Sequence, residues 1–296
     1  MENRALIFYD EVLGIGLGHK SRCFALGFLL EKYGFEVEFF DTKDFENALK
    51  NAKIIILDSY ILPLESYKKA LKFTKNLLVF DDTLRLEYPP CAIINPSGEE
   101  AKYKAKYKNH LLLLGREYLL LQRVFLENLS AKKEIKENIK NVLITLGSVD
   151  ICGLNSQVLE ILKGLDFKIH MISKESFKEG ENLKIYKNLN ANEMFLLMQE
   201  MDLAICACGQ TLLELLSYGV PCIALEVARN QRANLKNFEK CIFSIQEAWQ
   251  VKNLKGLILE YLERLKGKEK REFLSKSAKE FFLQESKWSE VLQKIK

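Results

Sequence analysis

The stretch Ala5-Leu6-Ile7-Phe8-Tyr9-Asp10, followed by Gly14-Ile15-Gly16-Leu17-Gly18-His19-Lys20-Ser21-Arg22-Cys23, sets the pattern for the whole chain. A short apolar run ends on an acid, a glycine loop follows, and a helical pattern begins. That order is the opening of a βαβ unit. His19–Tyr33 reads as a helix that Gly34 can end in the left-handed conformation. Val37–Asp41 reads as a second strand and Lys53–Asp58 as a third. The unbroken run Ile54-Ile55-Ile56-Leu57 suits a strand covered on both faces. Leu64–Thr74 reads as helix, Leu77–Asp81, Ala92–Asn95 and Leu111–Leu114 as strands, and Tyr118–Asn138 as a long helix. The alternation predicts a parallel sheet flanked by helices.

The rhythm then restarts. Strands are expected at Asn141–Leu146, Phe167–Ile172, Leu183–Tyr186, Leu203–Ala207 and Pro221–Val227. Helices are expected at Asn155–Lys163, Asn190–Met201 and Thr211–Tyr218, and a helical tail from Glu247. Asn190 with Glu193 three residues on forms a capping-box pattern. The charged segment Ser130–Lys140 separates the two series. The chain therefore divides into two Rossmann-like α/β domains, 1–138 and 139–296, and an interdomain cleft is expected. Ligands of such sheets sit beyond the carboxyl ends of the strands.

Composition narrows the function. The chain has 296 residues, 48% hydrophobic and 28% charged, with 15 Gly and 5 Pro, which excludes disordered and low-complexity classes. Its 44 basic and 40 acidic residues leave a net charge of +4, too balanced to indicate a nucleic-acid partner. No apolar run approaches the ~20 residues of a membrane span, and the start lacks the apolar core of a signal peptide. Seven scattered Cys read as reduced thiols of a cytoplasmic protein. Only Cys206 and Cys208 lie close together, and none of the three His is spaced to join them, so neither a metal nor a cofactor is expected.

Several residues are placed to do chemistry. The first glycine loop departs from the dinucleotide pattern, because His19 stands where the third small residue is needed, although Asp41 lies where a ribose acid would. A His in the first turn of a helix, beyond a strand's carboxyl end, is a candidate general base. The helix's positive end favours the neutral ring there. Cys206-Ala207-Cys208-Gly209-Gln210-Thr211 leads from a strand into a helix, and backbone N–H groups at such a junction suit a diphosphate. Thr211 and Glu214 have the spacing of a capping box, and Glu214 can equally grip ribose hydroxyls. Asn230-Gln231, past another strand, can read sugar hydroxyls or act as loop caps. Asp58-Ser59-Tyr60 and Asp81-Asp82 end strands, and neighbours on a strand face opposite ways, so neither acidic stretch forms a catalytic dyad by itself. His110 and His170 sit in strand-like runs and read as structural.

Taken in order, these motifs resemble the UDP-sugar hydrolases of pseudaminic acid biosynthesis. Those enzymes are similar to two-domain GT-B glycosyltransferases such as the lipid II-forming N-acetylglucosaminyltransferase. The resemblance rests on Asp10 with Gly14 to Cys23, Asp58-Ser59-Tyr60, Asp81-Asp82, Leu114-Gly115-Arg116-Glu117-Tyr118, Gly147-Ser148-Val149-Asp150, Cys208-Gly209-Gln210-Thr211-Leu212-Leu213-Glu214, Gly219-Val220-Pro221 and Asn230-Gln231. It implies a GT-B arrangement and metal-independent release of UDP from a UDP-linked diacetamido-trideoxy-altrose, a step that feeds flagellin glycosylation. It implies that His19 activates the water and that Tyr60 helps place water or sugar. Gly209, Gln210 and Thr211 would hold the diphosphate, Glu214 the ribose, and Asn230 and Gln231 the sugar. Gly16, Gly18, Arg22, Asp58 and Gly147 complete the substrate site that it implies. The chain departs from the family pattern at Ser59, Arg116, Gln122, Ser148, Cys208 and Gln210. A GT-B glycosyltransferase, a diverged paralogue with another UDP-sugar, a non-catalytic nucleotide-sugar-binding protein and, distantly, a dehydrogenase are the competing readings.

Overall fold

The computed structural model describes residues 3–11, 18–147, 150, 152–284 and 286–295. Two compact units emerge, Met1–Gln122 with Glu285–Lys296, and Arg123–Gln284. In the first, the elements run β1 (Arg4–Tyr9), α1 (Gly18–Lys32), β2 (Glu36–Asp41), α2 (Phe45–Ala48), β3 (Ile54–Asp58), α3 (Leu64–Ala70), β4 (Asn76–Phe80), β5 (Ala92–Asn95), α4 (Glu100–Lys106) and β6 (Leu111–Leu114). The strands pair in parallel in the order β2-β1-β3-β4-β5-β6. Alternation of side chains sends Ile7, Ile56 and Phe80 into one core cluster and Leu6, Phe8, Ile55 and Leu57 into another. Two clusters, one for each side-chain direction, explain why the strands read as continuous apolar runs. Gly34 has φ +81°, and Phe35 N–H donates back to Leu30 O at 3.1 Å, which ends α1 as expected.

The second unit runs α5 (Arg123–Glu127), β7 (Asn141–Thr145), α6 (Leu154–Lys163), β8 (Lys168–Ile172), β9 (Leu183–Tyr186), α7 (Ala191–Glu200), β10 (Leu203–Ala207), α8 (Gln210–Tyr218), β11 (Cys222–Leu225), α9 (Arg232–Asn237), β12 (Phe243–Ile245), α10 (Leu254–Leu265) and α11 (Lys268–Phe282). Its parallel sheet has the order β12-β11-β10-β7-β8-β9. The Asn190 side chain accepts from the N–H groups of Asn192 and Glu193, and Glu193 accepts from Asn190 N–H, so the capping box forms. In each sheet the strand order reverses once, between β1 and β3 and between β7 and β10. Ligands of open parallel sheets bind at that switch point.

Two expectations are corrected. The long helix Tyr118–Asn138 does not form; a short turn at Arg116–Tyr118 and the five residues of α5 replace it. Side chains of the second unit take up backbone groups that a helix would use internally. Arg271 is fully buried and donates to Lys136 O at 2.8 Å and Glu137 O at 2.6 Å. Lys279 donates to Leu129 O, and the Asp202 carboxylate accepts from Lys140 and Asn141 N–H at 2.9 and 2.8 Å. Tertiary partners here override helix propensity. The first compact unit ends at Gln122, and the last helix, α12 (Trp288–Ile295), counts with it. Trp288 is buried, meets the Tyr118 ring edge-on at 5.7 Å and donates from Nε1 to Tyr118 O at 3.0 Å. The second correction is by addition: α2, α4, α9 and the three-residue strand β12 were not anticipated. All seven Cys are free thiols, five of them buried.

Trp288→Ala is expected to cost the first unit about 3–5 kcal/mol by leaving a large core void. Arg271→Met is expected to cost the second unit about 1.5–3 kcal/mol through loss of charged hydrogen bonds. Urea unfolding followed by far-UV circular dichroism checks the first, and followed at Trp249, which lies in the second unit, it checks the second.

Candidate active site

The first unit gathers its polar residues at the switch point. Asp10 follows β1 and is nearly fully buried. Its carboxylate accepts from Thr42 Oγ1 at 2.6 Å, Ser59 Oγ at 2.7 Å and Tyr60 N–H at 2.7 Å. Ser59 in turn accepts from the N–H groups of Ile61 and Leu62. Asp10 thus fixes the turn that carries Tyr60. Asp58 ends β3, paired in register with Tyr9, and has no solvent exposure.

Around Asp58 the site closes. His19, the second residue of α1, places Nδ1 2.5 Å from Asp58 Oδ1. Arg22, one turn on, donates from Nε to Asp58 Oδ2 and from Nη2 to Oδ1, both at 2.6 Å. Burial alone would raise the Asp58 pKa, but the Arg22 charge and the hydrogen bonds from Arg22 and His19 outweigh it and hold the carboxyl well below its ordinary range. An ionised carboxylate only accepts, so the proton of the His19–Asp58 bond sits on Nδ1. In the neutral ring, Nε2 is then the atom able to accept a proton. Arg22 Nη1 donates to both oxygens of Asp82, at 2.9 and 2.8 Å, and the Tyr60 hydroxyl donates to Asp82 Oδ2 at 2.7 Å. The His19 and Tyr60 rings meet edge to face at 4.5 Å. Asp81 faces away from this group and accepts from Tyr107 OH at 2.6 Å, as strand alternation requires.

In the second unit, Gly147 follows β7 with φ +107°, a conformation that favours glycine. Asp150 accepts from the N–H groups of Leu154 and Asn155 at 2.9 and 2.7 Å, at the start of α6. Gly209 is the N-cap of α8, and Gln210 and Thr211 are its first two residues. The Thr211–Glu214 capping box therefore does not form: Thr211 already lies inside the helix, and no side chain caps the Gly209 position. Glu214 lies in the second turn and is buried. The Gln231 Oε1 accepts from Cys208 N–H at 3.3 Å and Val227 N–H at 3.1 Å, tying the loop after β10 to the loop after β11. Asn230 is exposed in the turn Arg229–Gln231. Gly16, with the rest of 12–17, and Ser148 lie outside the described residues.

Sequence reasoning passed over Asn234, whose side chain donates to Cys208 O at 2.7 Å, and Arg232, which donates to the fully buried Glu226 at 3.1 Å. It named Asp58 without seeing its partner, for the two stand 39 residues apart. The available signal was their shared place at the carboxyl end of adjacent elements. Asp41 caps the turn Thr42–Asp44. His110 donates to, or lies against, the carbonyls of Tyr88 and Pro89, and His170 lies 3.0 Å from Tyr186 OH. Among the described residues no three His, Cys, Asp or Glu side chains cluster to hold a metal ion, and no helix is long and apolar enough to cross a membrane.

Comparison with known proteins places this geometry. A curated Helicobacter pylori protein, pseudaminic acid cytidylyltransferase and UDP-2,4-diacetamido-2,4,6-trideoxy-beta-L-altropyranose hydrolase, is 31% identical over 243 residues, covering 79% of this chain and 46% of that protein. The chain spans 46–60% of the length of the curated relatives that it matches. Among solved structures, MurG of Acinetobacter baumannii superposes with a TM-score of 0.58 at 13% identity, covering 100% of this chain and 99% of that one. A glycosyltransferase from Rickettsia africae gives 0.60 at 13% identity over 99% and 98%. These likenesses show the two-Rossmann, GT-B type of fold. The likeness to the altropyranose hydrolases read from the motifs is matched by a relative of that name. Since the glycosyltransferase family 28 C-terminal domain matches residues 141–290, half of the chain, the chain belongs to that family.

Proposed function

We propose that the chain is a UDP-sugar hydrolase. Its reading is that it releases UDP from UDP-2,4-diacetamido-2,4,6-trideoxy-β-L-altropyranose in the cytoplasm, as a step of pseudaminic acid biosynthesis. The observation that carries the proposal is the 2.5 Å contact of His19 Nδ1 with ionised Asp58. The name of the Helicobacter pylori relative supports the substrate.

In the proposed step, His19 Nε2 takes a proton from water while the water oxygen bonds to the anomeric carbon. The bond from that carbon to the diphosphate oxygen breaks, and its electron pair leaves with UDP. Asp58 keeps the ring in the right tautomer and balances the imidazolium. Tyr60 helps place the water or the sugar. UDP is a good leaving group, so donors that steady its growing charge replace a proton donor and a metal. The N–H groups at the start of α8, around Gly209, Gln210 and Thr211, take that role, with Glu214 on the ribose. Asn230 meets the sugar. Gln231 has its amide oxygen committed to the loops and contributes mainly by holding Cys208 in place.

A glycosyltransferase is the second reading, favoured by the family 28 match. It uses the same base on an acceptor hydroxyl instead of water. Mixing the purified chain with the UDP-sugar alone decides between them. The hydrolase releases UDP at full rate with no acceptor and in the presence of EDTA; a transferase needs a cell-derived acceptor.

His19→Asn is expected to lower kcat for UDP release by about 10²–10⁴-fold, the usual contribution of a general base, while UDP affinity stays within a few-fold. Coupled UDP assay and calorimetry check the pair, and substantial turnover by that variant would reject the base assignment. Asp58→Asn is expected to lower kcat by a similar factor, because the amide no longer dictates the His19 tautomer.

A further inference from the structure

Arg22 is explained by counting its donors. A guanidinium has five N–H groups in one plane. Nε and Nη2 are spent on Asp58, Nη1 on Asp82, and the Phe80 ring covers one face at 4.6 Å. The remaining Nη2 direction lies 3.3 Å from His19 Nδ1, itself a donor towards Asp58. A guanidinium so engaged is not offering a fork to a phosphate. It instead joins the carboxylate that holds His19 to the carboxylate that holds Tyr60.

We infer that Arg22 is a positioning residue rather than a substrate ligand: through Asp58 it fixes the tautomer of His19, and through Asp82 it aims the hydroxyl of Tyr60. His19 and Arg22, three apart, share a face of α1, so one helix delivers both the base and the group that orients it. Remove the guanidinium, and two carboxylates share a largely dry site without a counter-charge. The buried Asp58–His19 pair is then driven to take up a proton. That proton lies along the bond between Asp58 Oδ1 and His19 Nδ1, the ring carries its other proton on Nε2, and the atom needed to accept a proton is occupied. Tyr60 changes as well. With its proton committed to Asp82, its oxygen faces ligands as an acceptor, suited to a water or sugar O–H. Without Arg22 to anchor Asp82, that commitment is lost.

For its reaction this inference rests on the hydrolase reading, but its geometry is tested without substrate. The three His side chains give separate imidazole nitrogen signals in ¹⁵N NMR, assigned with His110→Gln and His170→Gln. Wild-type His19 is expected to show the Nδ1–H tautomer at neutral pH, and Arg22→Met to show Nε2–H. Nε2–H in the wild type, or Nδ1–H unchanged in Arg22→Met, would overturn the inference whether or not the protein hydrolyses anything. Where UDP release is observed, Arg22→Met is expected to lower kcat about 10²-fold with KM within a few-fold. Free guanidinium is expected to restore part of the kcat of Arg22→Ala. A raised KM with unchanged kcat would make Arg22 a substrate ligand and sink the proposal. Arg22→Lys keeps the charge and loses the fork, so it provides a folded comparison with an intermediate tautomer ratio if Arg22→Met does not fold.

Discussion

A carboxylate with no contact with solvent has to be neutralised where it stands, and Asp58 imposes that demand on the first unit. Leaving such a charge unpaired costs several kcal/mol. The chain meets it with a bidentate guanidinium from Arg22 and a donor from His19. Both come from the first turns of α1, so the requirement also fixes how α1 seats against the end of β3. Arg22 Nη1, left over from that pairing, donates to both oxygens of Asp82. Two carboxylates and one guanidinium carry a net negative charge, which suits a proton arriving on the imidazole beside them.

The same economy of position governs both units. Each sheet is wholly parallel and reverses its strand order once. At such a reversal the helices on either side of the first strand diverge, leaving the strand ends uncovered. The first unit fills its opening with ionisable side chains around β1 and β3. The second fills its own with backbone, the Gly147 turn after β7 and the uncapped start of α8 after β10. On the proposed reading, one opening moves a proton. The other presents N–H groups, whose partial positive charge suits an anion.

Much of this was legible in the residues. Strand after strand fell where an apolar run met an acid or a glycine, because burial on both faces of a parallel sheet leaves little room for other patterns. The place of His19 in the first turn of α1 was legible from the loop-to-helix junction. Its partner was not, since the His19–Asp58 contact depends on β3 lying beside β1, a fact of topology that no local spacing records. Segment 118–138 misled for the opposite reason. Its composition favours helix, yet Arg271, Lys279 and Asp202, all distant in sequence, claim its backbone or that of the residues just after it. Thr211 misled because a glycine took the cap position that a hydroxyl residue normally fills.

Ser59 shows how a departure from a family motif can leave the His19–Asp58 pair in place. Where the resembled hydrolases carry a His, this chain carries a serine that donates to Asp10 and accepts from the N–H groups of Ile61 and Leu62. A hydroxyl can donate once and accept twice, which is what this turn uses. The side chain is buried on Asp10, while the adjacent Asp58 belongs to the His19 and Arg22 group. Alternation along the strand end separates the two, so a change at 59 alters the support of the Tyr60 turn and leaves the proton-accepting nitrogen of His19 as it was. His19 and Asp58 are thus carried by α1 and β3 themselves, and the variable position sits in the turn behind them.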